Sequence, residues 1–540
     1  MYVCIVPAAV CKGEVIESAH NNNYSNGSAH EFMNINIQNK MRLFVNTSCV
    51  GLLLCLLAFA EGVKSVVLPC DEGKECVHRF FDSSPVSSDN KHVVYTQFPK
   101  VKQSPADIVL FSMDGNTSVF IGQTFAWGSQ VGAQAQWTSP TKVVYNSMES
   151  PNSTVYGLEY DIKLGKARKL ECPVYHVSQD GQYAVAPNLY KMKHTQGGYG
   201  IDTWSSHIEN YDHHQDGVFV TDMKTGKCKL LYSIHNITSS INLHPRHNKF
   251  YGFHTKWSSD GQFIMFVLRT IEKSFSRVHS SSIRCRVNHL VVLAARHHEI
   301  KYVMSWASRP FSHYTQNPRS RANIVLIDGN HPNWVPNSHK ISMNMDVSSL
   351  DGYKGEGNQK SKWATVVIDT DGLPCNKPLL FHAQFNLTKY VAHANTPQQD
   401  SSPVCLPSSL VPVQIAWEYG FGHPSFHADG RHILTDIYEK EVSEYVGVNS
   451  SAIGMPILLV DTQKHTTSTL VELPVSKTAL KTATLFNSIK NTVMGGKEDR
   501  SWRWDMHPSW SPDYTFIAYN VLDPVTELRR VAVSAVTLSP

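Results

Sequence analysis

A seven-fold alternation of two short motifs runs through most of this 540-residue chain and constrains its fold more than any other feature. The first motif is a polar turn, often Ser-x-Asp-Gly, entered from a large apolar residue and followed by an alternating strand. Its copies are Val86-SSDNKHVVY, Trp137-TSPTKVVYN, Val177-SQDGQYAVA, Trp257-SSDGQFIMF, Trp334-VPNSHKISM, Phe426-HADGRHILT and Trp510-SPDYTFIAY. Between them lies an apolar strand closed by Asp or a similar turn former. Its copies are Ile108-VLFSMDG, Val155-YGLEYDIKLG, Val218-FVTDMKTG, Ile324-VLIDG, Val366-VIDTDG, Ile457-LLVDT and the terminal Val531-AVSAV. A tight turn leading into a period-two strand is a hairpin, and a continuously apolar strand is covered on both faces.

Units of this kind cannot bury both faces alone and must pack on their neighbours. The predicted fold is therefore all-β, a seven-bladed β-propeller with long inter-strand loop insertions over residues 85–540. Intervals between the seven anchors range from 40 to 92 residues, which loop insertions explain without extra domains. Charged residues are only 17% of the chain, which excludes a coiled coil or a disordered polymer. A net charge of +4 gives no ground for a nucleic-acid partner. No Gly-rich phosphate loop follows a strand, so no nucleotide cofactor is expected. Residues 271–322 resist the pattern: they carry seven arginines and five histidines with little strand-turn rhythm, and are read as an irregular basic insertion.

The amino terminus has a separate logic. Residues 1–40 form a polar extension. Met41 and Arg42 then precede the apolar run Val50–Ala60, with Ala58-Phe59-Ala60 fitting a small-x-small cleavage site. That pattern over 41–60 is a secretory signal peptide, too short to span a bilayer, and Met41 is read as the true start. Residues 61–84 are then a lead-in to the propeller. The expected destination is extracellular, with no stable membrane anchor. Export permits disulfides, for which Cys70–Cys76 and Cys375–Cys405 are plausible local pairs and Cys285 the odd thiol. Sequons at Asn116, Asn152, Asn236, Asn386 and Asn449 place those loops on the surface.

Four of the seven turns are preceded by histidine at nearly the same offset: His254, His331, His423 and His507. Equivalent positions in successive blades point to one part of the central channel, so four imidazoles can converge there. Neutral imidazole is the commonest protein ligand for divalent transition metals. The alternative is four histidines each bonded to a neighbouring blade's backbone. A second cluster, Asn188-LYKMKHTQGGYGI, ends on a glycine turn that presents Tyr199. Lys191, Lys193 and His194 make its vicinity cationic, which would lower a phenol's pKa and suit it to proton transfer. His207, His213 and His214 follow. Near the carboxy terminus Arg503 and Asp505 stand close to His507, where an arginine can grip a carboxylate or simply pair with Asp505.

The blade-three segment with its Gly-Tyr turn, together with HTKWSSDG, GHPSFHADGRHILTD and WRWDMHPSWSPD, resembles a group of secreted propeller lyases. That group includes the oligogalacturonate lyases and the propeller ulvan lyases. The resemblance implies β-elimination on an acidic, uronate-containing polysaccharide or oligosaccharide. It implies Tyr199 with His194 or His207 as acid and base, and Lys191 or Arg503 as carboxylate neutraliser. It also implies a divalent ion (Zn, Mn or Ca) at His254, His331, His423 and His507. The chain departs from the pattern where Gln130, Gln134 and Gln136 occupy a stretch in which the ulvan lyases would carry a catalytic histidine. It departs again at His213-His214-Gln215, where a basic residue is expected. Two further readings therefore stand beside the lyase: a non-catalytic propeller that binds carbohydrate or protein, and another propeller hydrolase.

Overall fold

The structure, a computed structural model, describes residues 65–101, 103–202, 212–241, 250–274, 283–308, 329–346, 363–371, 379–380, 410–412, 422–437, 454–464, 466–474 and 504–538. Its strands form seven sheets, six of four strands and one of five, arranged as the blades of a seven-bladed β-propeller. The second blade shows the plan. Gln136–Ser139 is followed across the tight turn by Lys142–Ser147, then by Tyr156–Asp161 and Lys166–Lys169, each antiparallel to the last.

The repeated turn has a local chemical cause. In the fourth blade the Ser258 hydroxyl donates to Asp260 at 2.6 Å and accepts from the Phe263 amide at 3.0 Å, while Asp260 accepts from the Gln262 amide. Gly261 supplies the positive φ (+67°) that closes the turn. The same Ser–Asp pair recurs at Ser87–Asp89, Ser178–Asp180 and Ser511–Asp513. The aromatic anchors have a second task. The indoles of Trp137, Trp334 and Trp510 donate to the carbonyls of Pro85, Lys256 and Ser425, each one residue before the preceding blade's anchor. Apolar faces complete the joins: Val94, Ile108 and Leu110 of blade one pack with Val143 and Tyr145 of blade two.

Two boundaries differ from the sequence expectation. The described part of the expected lead-in, residues 65–84, belongs to the propeller itself. Ser65–Val67 forms the outer strand of the seventh blade, paired with Arg529–Ala535, and Lys74–Val77 is the first strand of blade one. The ring is thus closed by its own amino-terminal strand, and a buried Glu75–Arg529 ion pair joins the two blades beside that seam. The described part of 271–322 is likewise regular. Ile283–Ala294 and Ile300–Ser308 are the third and fourth strands of the fourth blade. The expected strand at Ile324 lies outside the described residues, so Ile283–Ala294 holds the place assigned to it. Its arginines obscured the strand because a sequence window weighs charge without knowing which face it occupies.

Between Lys74–Val77 and the first turn the chain passes along the propeller axis as His78-Arg79-Phe80-Phe81-Asp82, all buried or half-buried. Asp82 is paired with Arg79 and lies 2.7 Å from the Lys256 ammonium, with no solvent at any of the three charges. Arg79 also donates to the Tyr175 carbonyl, and Lys256 to that of Pro332 at 2.8 Å. Blades one, three, four and five are joined through this one carboxylate. Among the described residues the disulfides are Cys70–Cys76, as the spacing suggested, and Cys172–Cys228, which bridges blades two and three. Cys375 and Cys405 lie outside the described residues. Asn116, Asn152 and Asn236 are exposed, while Asn386 and Asn449 are not described. Among the described residues no helix is long and apolar enough to cross a membrane.

Two stability tests follow. Asp82→Asn leaves two buried cations without their anion and is expected to cost about 3–5 kcal/mol, read by urea denaturation. His339 bridges blades four and five, with Nε2 2.8 Å from Asp260 and Nδ1 2.9 Å from Asp371. Partial burial opposes its charge, but the two carboxylates outweigh this and raise its pKa above the ordinary 6.5. The contribution of a group so raised is full below pH 6.5 and disappears as pH climbs through the folded value. The difference in stability between parent and His339→Gln, at most about 1 kcal/mol for so exposed a bridge, should therefore be present at pH 5.5 and absent at pH 9.

Candidate functional site

His254, His331, His423 and His507 each stand three residues before the anchor of blades four to seven, and all four are buried to 2% exposure or less. The backbone explains their common direction. His254, His331 and His507 have φ of 42°, 55° and 49°, a left-handed geometry rare for a side chain with a Cβ. In blades four and five it coincides with a break in strand register, a bulge that re-aims the side chain towards the axis. Gln134 holds the same offset in blade two with φ 60°, so a carboxamide stands there where four other blades place an imidazole.

The rings converge. Those of His331 and His423 are 4.1 Å apart between centroids, and those of His423 and His507 are 4.4 Å apart. Phe80 touches His507, His423 and His254, at 4.6, 5.7 and 5.7 Å, and Phe81 packs on His331 and His423. His331 Nδ1 lies 2.8 Å from the Gly422 carbonyl, and His423 Nδ1 2.9 Å from an Asp436 carboxylate oxygen. An acceptor at Nδ1 fixes the tautomer that carries its proton there and leaves Nε2 as the Lewis-basic nitrogen. Gly422 can approach so closely because a Cβ at this position would meet the Asp436 carbonyl at 1.8 Å. Asp436 also accepts from the His423 and His507 amides, so one carboxylate orders two of the four histidine positions.

Burial, then the cations of Lys256 and Arg269, hold His254 well below its ordinary pKa, so it is a neutral imidazole. Its Nδ1 lies 3.5 Å from the Tyr175 hydroxyl. The ligand-type atoms of His423, Asp505 and His507 lie within 4.8 Å of one another, a group able to hold a metal ion. A donor set dominated by imidazole fits Zn²⁺ better than Mn²⁺ or Ca²⁺, which favour oxygen ligands.

Tyr199 is brought to this cluster. It is buried, packs edge-on against Phe80 at 5.5 Å and Phe253 at 5.6 Å, and lies 6.5 Å from the His507 ring. The glycine turn that presents it docks on blade two: Gln130 donates its amide to Gly198, and Asp202 accepts from Ser129. A Cβ on Gly128 would meet the Gly198 and Gly200 carbonyls at 2.5 and 2.4 Å, so this join requires glycine. Lys191 is placed differently from the free cation of the sequence reading. It is buried in an ion pair with Asp216 at 2.7 Å, and its charge is compensated there. His194 lies in the short helix Leu189–Thr195, whose described part ends short of its side chain. His207 and Arg503 lie outside the described residues. Gln136 bonds Tyr175 and Val177 across blades, His213 packs on Phe250, and His214 stacks on His235.

Sequence reasoning missed Arg79, Phe80, Phe81, Asp82, Arg269 and Asp436. The one available signal was the pair of opposite charges flanking Phe80-Phe81 just ahead of the first repeat. Beyond Phe81 and Asp82 the channel opens into a cavity of about 400 Å³, lined among others by Trp137, Trp257, Trp334, Phe426 and Trp510. None of the four histidines lines it.

No protein-family model and no curated protein matches the chain. Among solved structures, an oligogalacturonate lyase from Vibrio parahaemolyticus aligns at 9% identity over 88% of this chain and 99% of its own, with a TM-score of 0.45. An oligogalacturonate lyase in complex with manganese aligns at 10% identity over 88% and 98%, with a TM-score of 0.44. The β-propeller domain of the Trilobed protease from Pyrococcus furiosus aligns at 7% identity over 73% and 97%, with a TM-score of 0.27. The blade count rests on the sheet topology, and the chemistry on the cluster itself.

Asp436→Asn keeps the shape and removes the charge behind His423. It is expected to weaken the cluster's affinity for added Zn²⁺ or Mn²⁺ by about 10–100-fold in calorimetric titration.

Proposed function

We propose that this chain is an exported, lyase-like propeller that cleaves a uronic-acid-containing polysaccharide or oligosaccharide by β-elimination at the axial histidine cluster. The observation that carries the reading is the convergence of His331, His423 and His507 with two Nδ1 positions tied back, joined by a neutral His254. His254, His331, His423 and His507 would hold a divalent ion, with Asp505 beside them. Such an ion supplies charge that neutralises the uronate carboxylate and so acidifies the proton on the adjacent carbon.

The protein's own groups do the proton work. Tyr199, the phenol buried beside His507, is the acid–base candidate, with His194 or His207 as its partner. One group takes the proton from C5, the electron pair forms the C4–C5 double bond, and the O4 oxygen leaves with a proton from the other. Arg503, two residues before Asp505 in sequence, is kept as the carboxylate grip in place of Lys191, which already has Asp216 as its counter-ion. The signal-type leader, three exposed sequons and two disulfides support an oxidising, extracellular destination.

A second reading is favoured by a specific observation: the four histidines and Tyr199 are all at most 2% exposed, under Phe80 and Phe81. A propeller that keeps them as core and binds carbohydrate or protein through another surface would look the same. The aromatic-lined cavity is of the size that takes a small ligand, about 300–1,000 Å³. One assay separates the two. With pectin fragments, ulvan, alginate and glycosaminoglycans as substrates, lyase action gives rising ultraviolet absorbance from the unsaturated uronate product. The rate should fall by about 10²–10⁴-fold in Tyr199→Phe and be suppressed by chelator. A flat trace on every polyuronate, with measurable binding to one of them, assigns the binding role.

A further inference from the structure

The turn of the sixth blade departs from its sisters in a way that the axial cluster does not explain. In blades one, three, four and seven a serine hydroxyl closes the turn on aspartate at 2.6–2.7 Å. In blade six His427 replaces that serine, and His432 opens the next strand, as His92 does in blade one, where Tyr183, Phe263 and Phe516 stand in blades three, four and seven. Both imidazoles turn towards the same carboxylate oxygen. His432 Nδ1 lies 2.6 Å, and His427 Nδ1 3.1 Å, from Asp429 Oδ2. The other oxygen, Oδ1, accepts the Arg431 and His432 amides at 2.8 and 3.0 Å, so the turn itself holds the carboxylate in place.

The three ligand-type atoms lie within 4.8 Å of one another. Unlike the axial histidines, this group reaches solvent: the side chains of His427, His432 and Asp429 are 18%, 10% and 34% exposed. The His427 ring is held against Tyr514 at 4.6 Å and Trp510 at 5.2 Å. On the far side of His432, Asp461 stands 3.8 Å from Nε2 and is itself gripped by Arg431. A carboxylate behind the second ring nitrogen is the arrangement that raises the basicity of a ligating histidine.

We propose that His427, Asp429 and His432 form a second divalent-metal site, distinct from the axial cluster, for an imidazole-seeking first-row ion such as Zn²⁺. Two imidazoles and one carboxylate on a common centre leave coordination positions for water. The site lies at the rim of the aromatic cavity, whose lining includes its neighbours Phe426, Ala428 and Tyr514. It does not depend on the axial cluster binding metal or on the lyase reading.

The test is calorimetric titration of Zn²⁺ into the full chelator-stripped chain and two variants. His427→Ser and His432→Phe each restore a residue that sister turns carry, so the turn retains a closure seen elsewhere in the same fold. The expected result is that each variant binds one Zn²⁺ fewer than the parent with an unchanged melting temperature, while His423→Ala retains the blade-six ion. A parent and a His427→Ser variant that bind the same number of zinc ions would overturn the proposal. Because it is read as a difference of one, the outcome stands whether or not the axial histidines take zinc.

Discussion

One buried carboxylate organises the interior of this propeller. Asp82 lies between Arg79 and Lys256 with its side chain fully buried. Burial opposes its ionisation, but the two cations prevail and hold it charged, its pKa below the usual carboxylate range. Lys256 in turn is pushed down to about 8 by burial, against the pull of Asp82. His176, on the same charged group, is held near 3, first by burial and then by the Arg79 cation, and so stays neutral. Together these groups fix an extended piece of chain along the axis, where a seven-bladed ring would otherwise leave a channel. Phe80 and Phe81 come with it, and they supply the apolar wall against which the histidines are ordered. Breaking such a triad is costly because the surviving charges cannot return to water without opening the ring.

The plug divides the axis chemically. On one side are the four axial imidazoles, with Nδ1 of His331 tied to a carbonyl and Nδ1 of His423 to a carboxylate. On the other is a cavity ringed by the aromatic anchors. Phe81 belongs to both, touching His331 and His423 and lining the cavity. Trp137, Trp334 and Trp510 therefore serve twice, as inter-blade hydrogen-bond donors and as cavity wall. Tyr199 joins the histidine side through a glycine-to-glycine contact between blades two and three, so its placement is a property of the ring and not of its own loop.

Much of the fold was legible because its causes are local. Ser-x-Asp-Gly closes a turn by bonds between residues two to five apart, and the alternating strands follow. All seven second strands, those that follow the turns, and six of the seven third strands therefore fall where the motifs put them. The fourth blade's third strand was hidden because Ile283–Ala294 interleaves arginines and histidine with its apolar residues. The closing strand Ser65–Val67 was hidden because three residues carry no periodicity and its partner lies more than 460 residues away. In the site, the equal offset of four histidines showed that they would converge. It could not show that Asp436 stands behind one of them or that Lys191 belongs to Asp216, since neither pairing has a sequence spacing to announce it.

The sequence by itself determined the number of blades, the turn chemistry and the equivalent placement of four histidines, since each follows from contacts within one repeat. The tertiary structure alone decided what lies between those residues and how the ring is shut. It drew residues 78–82 into the channel, set the ring nitrogens of His331 and His423 against particular acceptors, and left a His-Asp-His group within reach of solvent on blade six. Those outcomes depend on desolvation and on distances between separate blades, and both come into being only when the ring has closed.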